Sequence, residues 1–318
     1  NAHAPAWLLD AASPSAPWRR EEVELLWDAG QPTAAVRRAR ALLAAADAAP
    51  APAAPAWRAD LLIRLGTWLA TSGVDGPDAA RSALDAAHCA AQEANDHAAI
   101  AASLFALASF ADSRHRAAAD AAASPEWATA AAVTAAKRAD LAATSALYHD
   151  RVRRGQARVD ETGRPLDAES KRLAQAVALL TRQVAIDDAA TAALDASRLA
   201  SRVAAVKHYG MALSAADGHD LHASHRLVAL FLAAPDDADV VAAAKPPLAL
   251  APSHKYVLLA HQAASRLSAS PTAPGAESGF QDALRRLLVR LATDHPHHTL
   301  WQLLALQAGG RGRDGKEA

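Results

Sequence analysis

This chain has little of what makes a site conspicuous. Its 318 residues include one cysteine and one methionine, and only 4% are aromatic. A single thiol, Cys89, excludes a disulfide framework and any zinc site built wholly from cysteine, and it points to a reducing compartment. A formal charge of −1 and a pI near 7 provide no general attraction to nucleic acid or to an acidic membrane. The heaviest apolar run, near Leu104 to Ala111, is far short of the ~20 residues a membrane-spanning helix needs. No signal or transit pattern opens the chain. It begins at Asn1 and not at a methionine, as a fragment of something longer would. Strand signals are missing too: β-branched residues are sparse, and large apolar and polar residues never alternate for long.

What is present is alanine, at more than a quarter of all positions. Alanine and leucine are strong helix formers. Breakers divide the chain into helices expected at Arg19 to Ala29, Pro32 to Ala48, Ala56 to Thr71, Pro77 to Asn95, His97 to Ala121 and Pro125 to about Arg158. Further helices are expected at Asp167 to Ala216 (with a break near Asp187), Asp220 to Ala233, Ser253 to Ser268, Ser278 to Thr293 and Pro296 to Ala308. Several begin with proline in the first turn, which tolerates a missing amide. Short connectors make neighbouring helices antiparallel. Such pairs cannot bury their faces alone and must stack. The expected fold is therefore all-α, an α-solenoid of antiparallel helix pairs like those of tetratricopeptide and HEAT repeats. Its core is thin, with alanine letting helices approach closely. Residues 19–308 form the solenoid, between an irregular lead-in at 1–18 and a flexible tail at 309–318. Low-complexity connectors fall near 49–56 and 269–277. Cys89, on an alanine-rich face, reads as a small buried hydrophobe.

One stretch departs from this background. Asp294-His295-Pro296-His297-His298-Thr299-Leu300 holds three of the fourteen histidines. Imidazole and carboxylate are proper zinc ligands, so a metal reading would use His295, His297 or His298 with Asp294. The competing reading is a joint. Pro296 drives His295 out of the α region, which ends one helix. It also pre-sets the backbone of the next, leaving Asp294 or His295 to cap free amides. His297, His298 and Thr299 then occupy a first turn, where the helix dipole disfavours positive charge. On this reading neutral imidazoles hydrogen-bond to neighbouring helices and fix the angle of the joint, and they bind no metal.

Other candidate motifs are weaker. Gly310-Arg-Gly-Arg-Asp-Gly315-Lys316 fits seven places of a phosphate-binding loop, but Glu317 stands where the magnesium-binding hydroxyl belongs and no strand precedes it. Arg151, Arg153, Arg154 and Arg158, with Tyr148 as a stacking partner, could touch a nucleic acid. Asp150, Asp160 and Glu161 offset that charge, so direct nucleic-acid binding is not expected. Asp112-Ser113-Arg114-His115 has catalytic residue types, yet adjacent helix positions point apart, and it reads as surface. His219, His222 and His225 are spaced for a metal pair without a third ligand and read as a solvated or partner-facing ridge.

An ordered set of motifs carries a resemblance. Glu24-Leu-Leu-Trp27-Asp-Ala-Gly-Gln31, Arg64-Leu-Gly66-Thr-Trp68-Leu-Ala70 and Leu107-Ala-Ser-Phe110-Ala-Asp112 are similar to successive signatures of the FAT region of phosphatidylinositol-3-kinase-related protein kinases. Pro252-Ser-His-Lys-Tyr256 with Gln262-Ala-Ala-Ser-Arg266-Leu267, then Gly279-Phe280, then Asp294 to Leu300 continue the series in order. The last, with Leu303-Leu-Ala-Leu306 behind it, most resembles the ataxia-telangiectasia-mutated branch. The resemblance runs from about Glu22 to Leu306 and thins at 49–56 and 117–136. It implies a helical scaffold that wraps and supports a kinase domain, contributes to homodimer contacts and joins further helical repeats toward the N-terminus. The parent would be a nuclear serine/threonine kinase of the DNA-damage response. Its catalytic signatures are absent from this sequence, so no cofactor is expected here, and ATP and magnesium belong to the kinase domain. A free-standing helical adaptor and a histidine-using helical enzyme or metal protein are the alternatives.

Overall fold

Among the described residues every regular element is helical, as the alanine and leucine content dictates. The computed structural model describes residues 17–48, 55–156, 165–267 and 279–314. In chain order the α-helices are α1 (Pro17–Asp28), α2 (Pro32–Asp47), α3 (Pro55–Ser72), α4 (Gly76–Glu93), α5 (His97–Ala122) and α6 (Pro125–Arg153). There follow α7 (Ala168–Ala215), α8 (Asp220–Leu232), α9 (Ala238–Leu250), a 3-10 turn (Ser253–Leu259), α10 (Ala260–Ala264), α11 (Gly279–Asp294) and α12 (Pro296–Asp314). The fold class is the expected all-α one of stacked helix pairs. No helix among the described residues is long and apolar enough to cross a membrane.

The chain divides into two compact units, one of residues 1–113 with 202–318 and one of residues 114–201. In the first, α1 packs on α2, α2 on α3 and α3 on α4. Val23, Leu42, Leu61, Leu65, Trp68 and Leu69 interlock there with fully buried Ala35, Ala39, Ala59, Ala80 and Ala87. The alanines are what allow the close approach. Gly66 carries the idea furthest: a Cβ there would lie 2.6 Å from the Leu84 side chain. Later in the same unit α8, the 3-10 turn, α9 and α11 enclose Leu227, Phe231, Tyr256, Leu259, Leu284 and Leu291.

The second unit is held differently. Helix α6 buries no residue, and in the α7 segment from 168 to 201 only Val184 among apolar residues is buried. Polar pairs join the two helices instead. Lys137 Nζ lies 2.6 Å from Asp187 Oδ2, which also accepts from Thr134 Oγ1 at 3.1 Å, and Arg138 pairs with Asp188.

Several expectations need correction. The chain does not break at Asp187; α7 runs unbroken through it. Its carboxylate is engaged across the pair with Lys137 and Thr134 and so does not compete for its own backbone. Helix α6 stops at Arg153, not near Arg158, because Gly155 takes φ +67 beyond the helix end. Residues Ser253–Leu259 form a 3-10 turn before the short α10, where one helix to Ser268 was expected. Helix α9 was not expected at all, since Pro246 and Pro247 lie inside it. Helix α12 passes Ala308 and reaches Asp314. Cys89 is exposed, not buried: its neighbours Ala87, Ala90 and Ala91 turn to the core and it does not. The lead-in through residue 16, the connectors at 49–54 and 269–277, Arg158 and residues 315–318 of the phosphate-loop look-alike lie outside the described residues.

Candidate functional site: a helix junction and its polar braces

The histidine run forms a helix junction. Helix α11 ends at Asp294, His295 stands alone between helices, and Pro296 opens α12. The His295 amide donates to Leu291 O at 2.8 Å, and the His298 amide donates to His295 O at 3.1 Å. Thr299 is fully buried, and its hydroxyl faces His295 O at 2.9 Å and Leu291 O at 3.3 Å. That one side chain stitches the last turn of α11 to the first of α12. His295 Nε2 lies 3.0 Å from Ser253 Oγ, tying the junction to the 3-10 turn.

The roles within the run differ from expectation. His297 and His298 are exposed and do not brace a neighbouring helix; the second and third positions of the new helix point away from the seam that Thr299 fills. Bracing falls to His295 and Thr299. Asp294 acts through Arg290, 3.8 Å away. The Arg290 guanidinium donates to the carbonyls of Leu248, Ala249 and Ala251 at 3.2, 2.7 and 2.6 Å. These are the free acceptors at the end of α9, which a cation suits.

The signature residues occupy the seams of the first unit. Trp27 and Trp68 stack with ring centroids 5.2 Å apart, and Phe110 packs against the same cluster. Pro252 precedes the 3-10 turn, and Tyr256 within it is fully buried, donating to Pro247 O at 3.1 Å. Burial pushes the Tyr256 phenol well above its ordinary range, so it stays protonated and can donate. Phe280 packs on Phe231, and the Arg266 carbonyl accepts from Gln281 Nε2.

Two buried charges escape sequence reading. Asp112 is 1% exposed, not a surface residue. It receives a two-pronged bond from Arg226, at 2.8 and 2.7 Å, with Tyr209 Oη at 3.4 Å. Hydrogen bonding to Asp112 outweighs burial and raises the Arg226 pKa further. Lys255 is also buried. Its ammonium donates to Leu213 O at 2.8 Å and Ala216 O at 3.1 Å, capping the end of α7, and pairs with Asp217 and Asp220 at 2.8 and 2.9 Å. Burial opposes its charge, but hydrogen bonds with Asp217 and Asp220 prevail and raise its pKa. A lysine beside a tyrosine in an apolar stretch was the available signal.

Asp217, Asp220 and His254 are near enough to share a metal ion. The Lys255 ammonium already supplies the positive charge between the two carboxylates, so these residues do not suit a cation well. His219 does not stand on a free ridge: its ring stacks on Phe105 at 4.3 Å, and burial lowers its pKa. His222 is exposed, and His225 Nδ1 bonds to Leu221 O. The basic run is largely matched: Arg151 pairs with Asp167 and Glu169, and Arg153 and Arg154 pair with Asp150.

No family model matches the chain. By sequence it is similar to the serine/threonine-protein kinase ATM of Arabidopsis thaliana, 31% identical over 139 residues, which are 44% of this chain and 4% of that protein. It is likewise similar to the serine-protein kinase ATM of Sus scrofa, 34% identical over 125 residues, 39% of this chain and 4% of that protein. By fold it matches the open conformation of CtTel1 with TM-score 0.62 and 21% identity, over 89% of this chain and 9% of that one. It also matches the FAT and kinase domain of CtTel1 with TM-score 0.61 and 21% identity, over 89% of this chain and 17% of that one. The matched segments span only about 4% of the length of the curated relatives. In fold the chain is thus an all-α helical region similar to part of the FAT and kinase domain of CtTel1. The two curated relatives named above are both ATM kinases, so in sequence the chain is similar to that type.

Proposed function

We propose that this chain is the scaffold segment of an ATM-like serine/threonine protein kinase, bracing and regulating a kinase domain carried elsewhere in a longer polypeptide. The observation that carries this is the joint match in sequence to ATM kinases and in fold, over 89% of the chain, to the FAT and kinase domain of CtTel1. The junction geometry supports it: Thr299, His295 and Arg290 lock α9, α11 and α12 together, as a platform requires. On this reading the chain transfers no phosphate itself and holds no metal or nucleotide. Its partners are the kinase domain and N-terminal helical repeats of the same polypeptide, and the whole acts as a homodimer in nuclear DNA-damage signalling.

The gene sequence beyond Ala318 provides the test. A glycine-rich loop, a catalytic Asp with a downstream Asn, and a metal-binding Asp-Phe-Gly are expected in that order. A stop codon directly after Ala318 would replace this reading with a free-standing helical adaptor.

A further inference from the structure

A surface groove of about 540 Å³ lies in the first unit between α4, α5, α7 and α9. That volume is within the ~300–1,000 Å³ of binding pockets. Its floor and walls are apolar, with Leu104 and Ile100 on one side, Met211 along α7, and Pro246 and Leu250 opposite. Met211 is 41% exposed and Leu250 79%, so the apolar strip is open to solvent. The stretch of α7 along it, Lys207 to Ala215, is about 12 Å long, or two helical turns.

Three features make this more than a bare apolar face. Lys207 is the one formal charge in the lining, with no carboxylate there, and it makes no ion pair among the described residues. Pro246 and Pro247 have no amide hydrogen, so the carbonyls of Ala242 and Ala243 receive no i+4 hydrogen bond, and Ala243 lines the groove. The tautomer of His88 is also fixed. The Ser103 hydroxyl donates to Ile100 O at 2.8 Å, so His88 Nδ1, 3.0 Å away, must be its donor. His88 Nε2 is therefore an acceptor. The groove combines an apolar trough two turns long with a cation at one end.

We infer that this groove docks an amphipathic helix of a partner protein, seated by two turns of apolar side chains with an acidic residue against Lys207. Helix-in-groove recognition uses apolar anchors at i, i+4 and i+7. The unanswered positive charge sets the polarity, since an acidic flank is attracted and a basic one repelled. A kinase domain in the same polypeptide is not needed for this docking, so the two readings can fail separately.

Fluorescence anisotropy on the 318-residue chain tests it. The probe is a labelled helical peptide of about 14 residues with leucines at i, i+4 and i+7 and a glutamate one turn before the first. Saturable binding in the micromolar range is expected. Lys207→Glu should weaken it roughly tenfold, and replacing the peptide's glutamate by lysine should restore it to that variant. Met211→Glu, at an exposed position, should abolish binding while circular dichroism stays unchanged; if that variant unfolds, the charge swap decides alone. No binding at roughly 1 mM peptide overturns the inference. So does equal binding of the acidic and basic peptides to the native chain.

Discussion

In the first unit Leu61, Leu69, Leu84, Leu227, Leu284 and Leu291 are all essentially removed from solvent. In the second, α6 hides none of its 29 residues, and Leu147, Leu179 and Ile186 stand exposed. Both are alanine-rich and helical, so propensity does not separate them. Large apolar residues at core spacing do, since each one fully buried stabilises by about 1.5–3 kcal/mol. Without them α6 and α7 rely on Lys137, Asp187, Arg138 and Asp188, whose pairings are partly solvated and worth much less each. Backbone helicity and cohesion between helices are thus set by different residues.

The largest contrast should come from matched deletions. Leu284→Ala is expected to cost about 2–5 kcal/mol, the loss of a buried leucine plus the cavity left behind. Val184→Ala should cost roughly 1–2 kcal/mol. Equal shifts in urea midpoint would mean the two units do not differ in cohesion as described.

A smaller effect should follow from Asp112→Ala. It strands the Arg226 guanidinium, but Arg226 is 39% exposed and water compensates part of the loss. About 2–3 kcal/mol is expected, below the ~3–5 kcal/mol of a fully buried pair. Asp112→Asn should recover some of it in the same urea titration; no recovery would mean that packing, not hydrogen bonding, is what Asp112 supplies.

The smallest effect concerns pH and salt in the second unit. The hydrogen bond from Lys137 holds the Asp187 carboxyl below its ordinary value of 3.8, with further help from Thr134. Because the folded value is depressed, its stabilising contribution is complete above that ordinary value and is lost as the pH falls through the folded one. The protection of α6 amides against hydrogen exchange, measured relative to the intrinsic rate at each pH, should therefore fall on acidification and at high salt, and Lys137→Met should weaken both responses. An acid response that survives Lys137→Met undiminished would place the titrating group elsewhere.

The fold was largely legible because its signals are local. Pro32, Pro125 and Pro296 mark helix starts, and each is read from its own neighbourhood in the chain. What was illegible depends on tertiary partners. Pro246–Pro247 reads as a break, but Asp237 caps the start of α9, Val240, Val241 and Leu248 bury its face, and Arg290 satisfies its end. Asp112 looks like a surface acid until Arg226, 114 residues away, closes on it. At the junction the joint itself followed from Pro296. Which side chains brace it did not, because His297 and Thr299 differ in burial through their angle around α12.

Lys255 carries one more consequence. Its side chain is 1% exposed and its amine is kept protonated, so an amine-selective reagent meets neither an accessible nor a nucleophilic nitrogen. The other lysines within the described helices of this unit, Lys207 and Lys245, are exposed. Acylation of Lys255 would therefore wait for the ends of α7 and α8 to part, and its rate under native conditions would act as a clock for the opening of that joint.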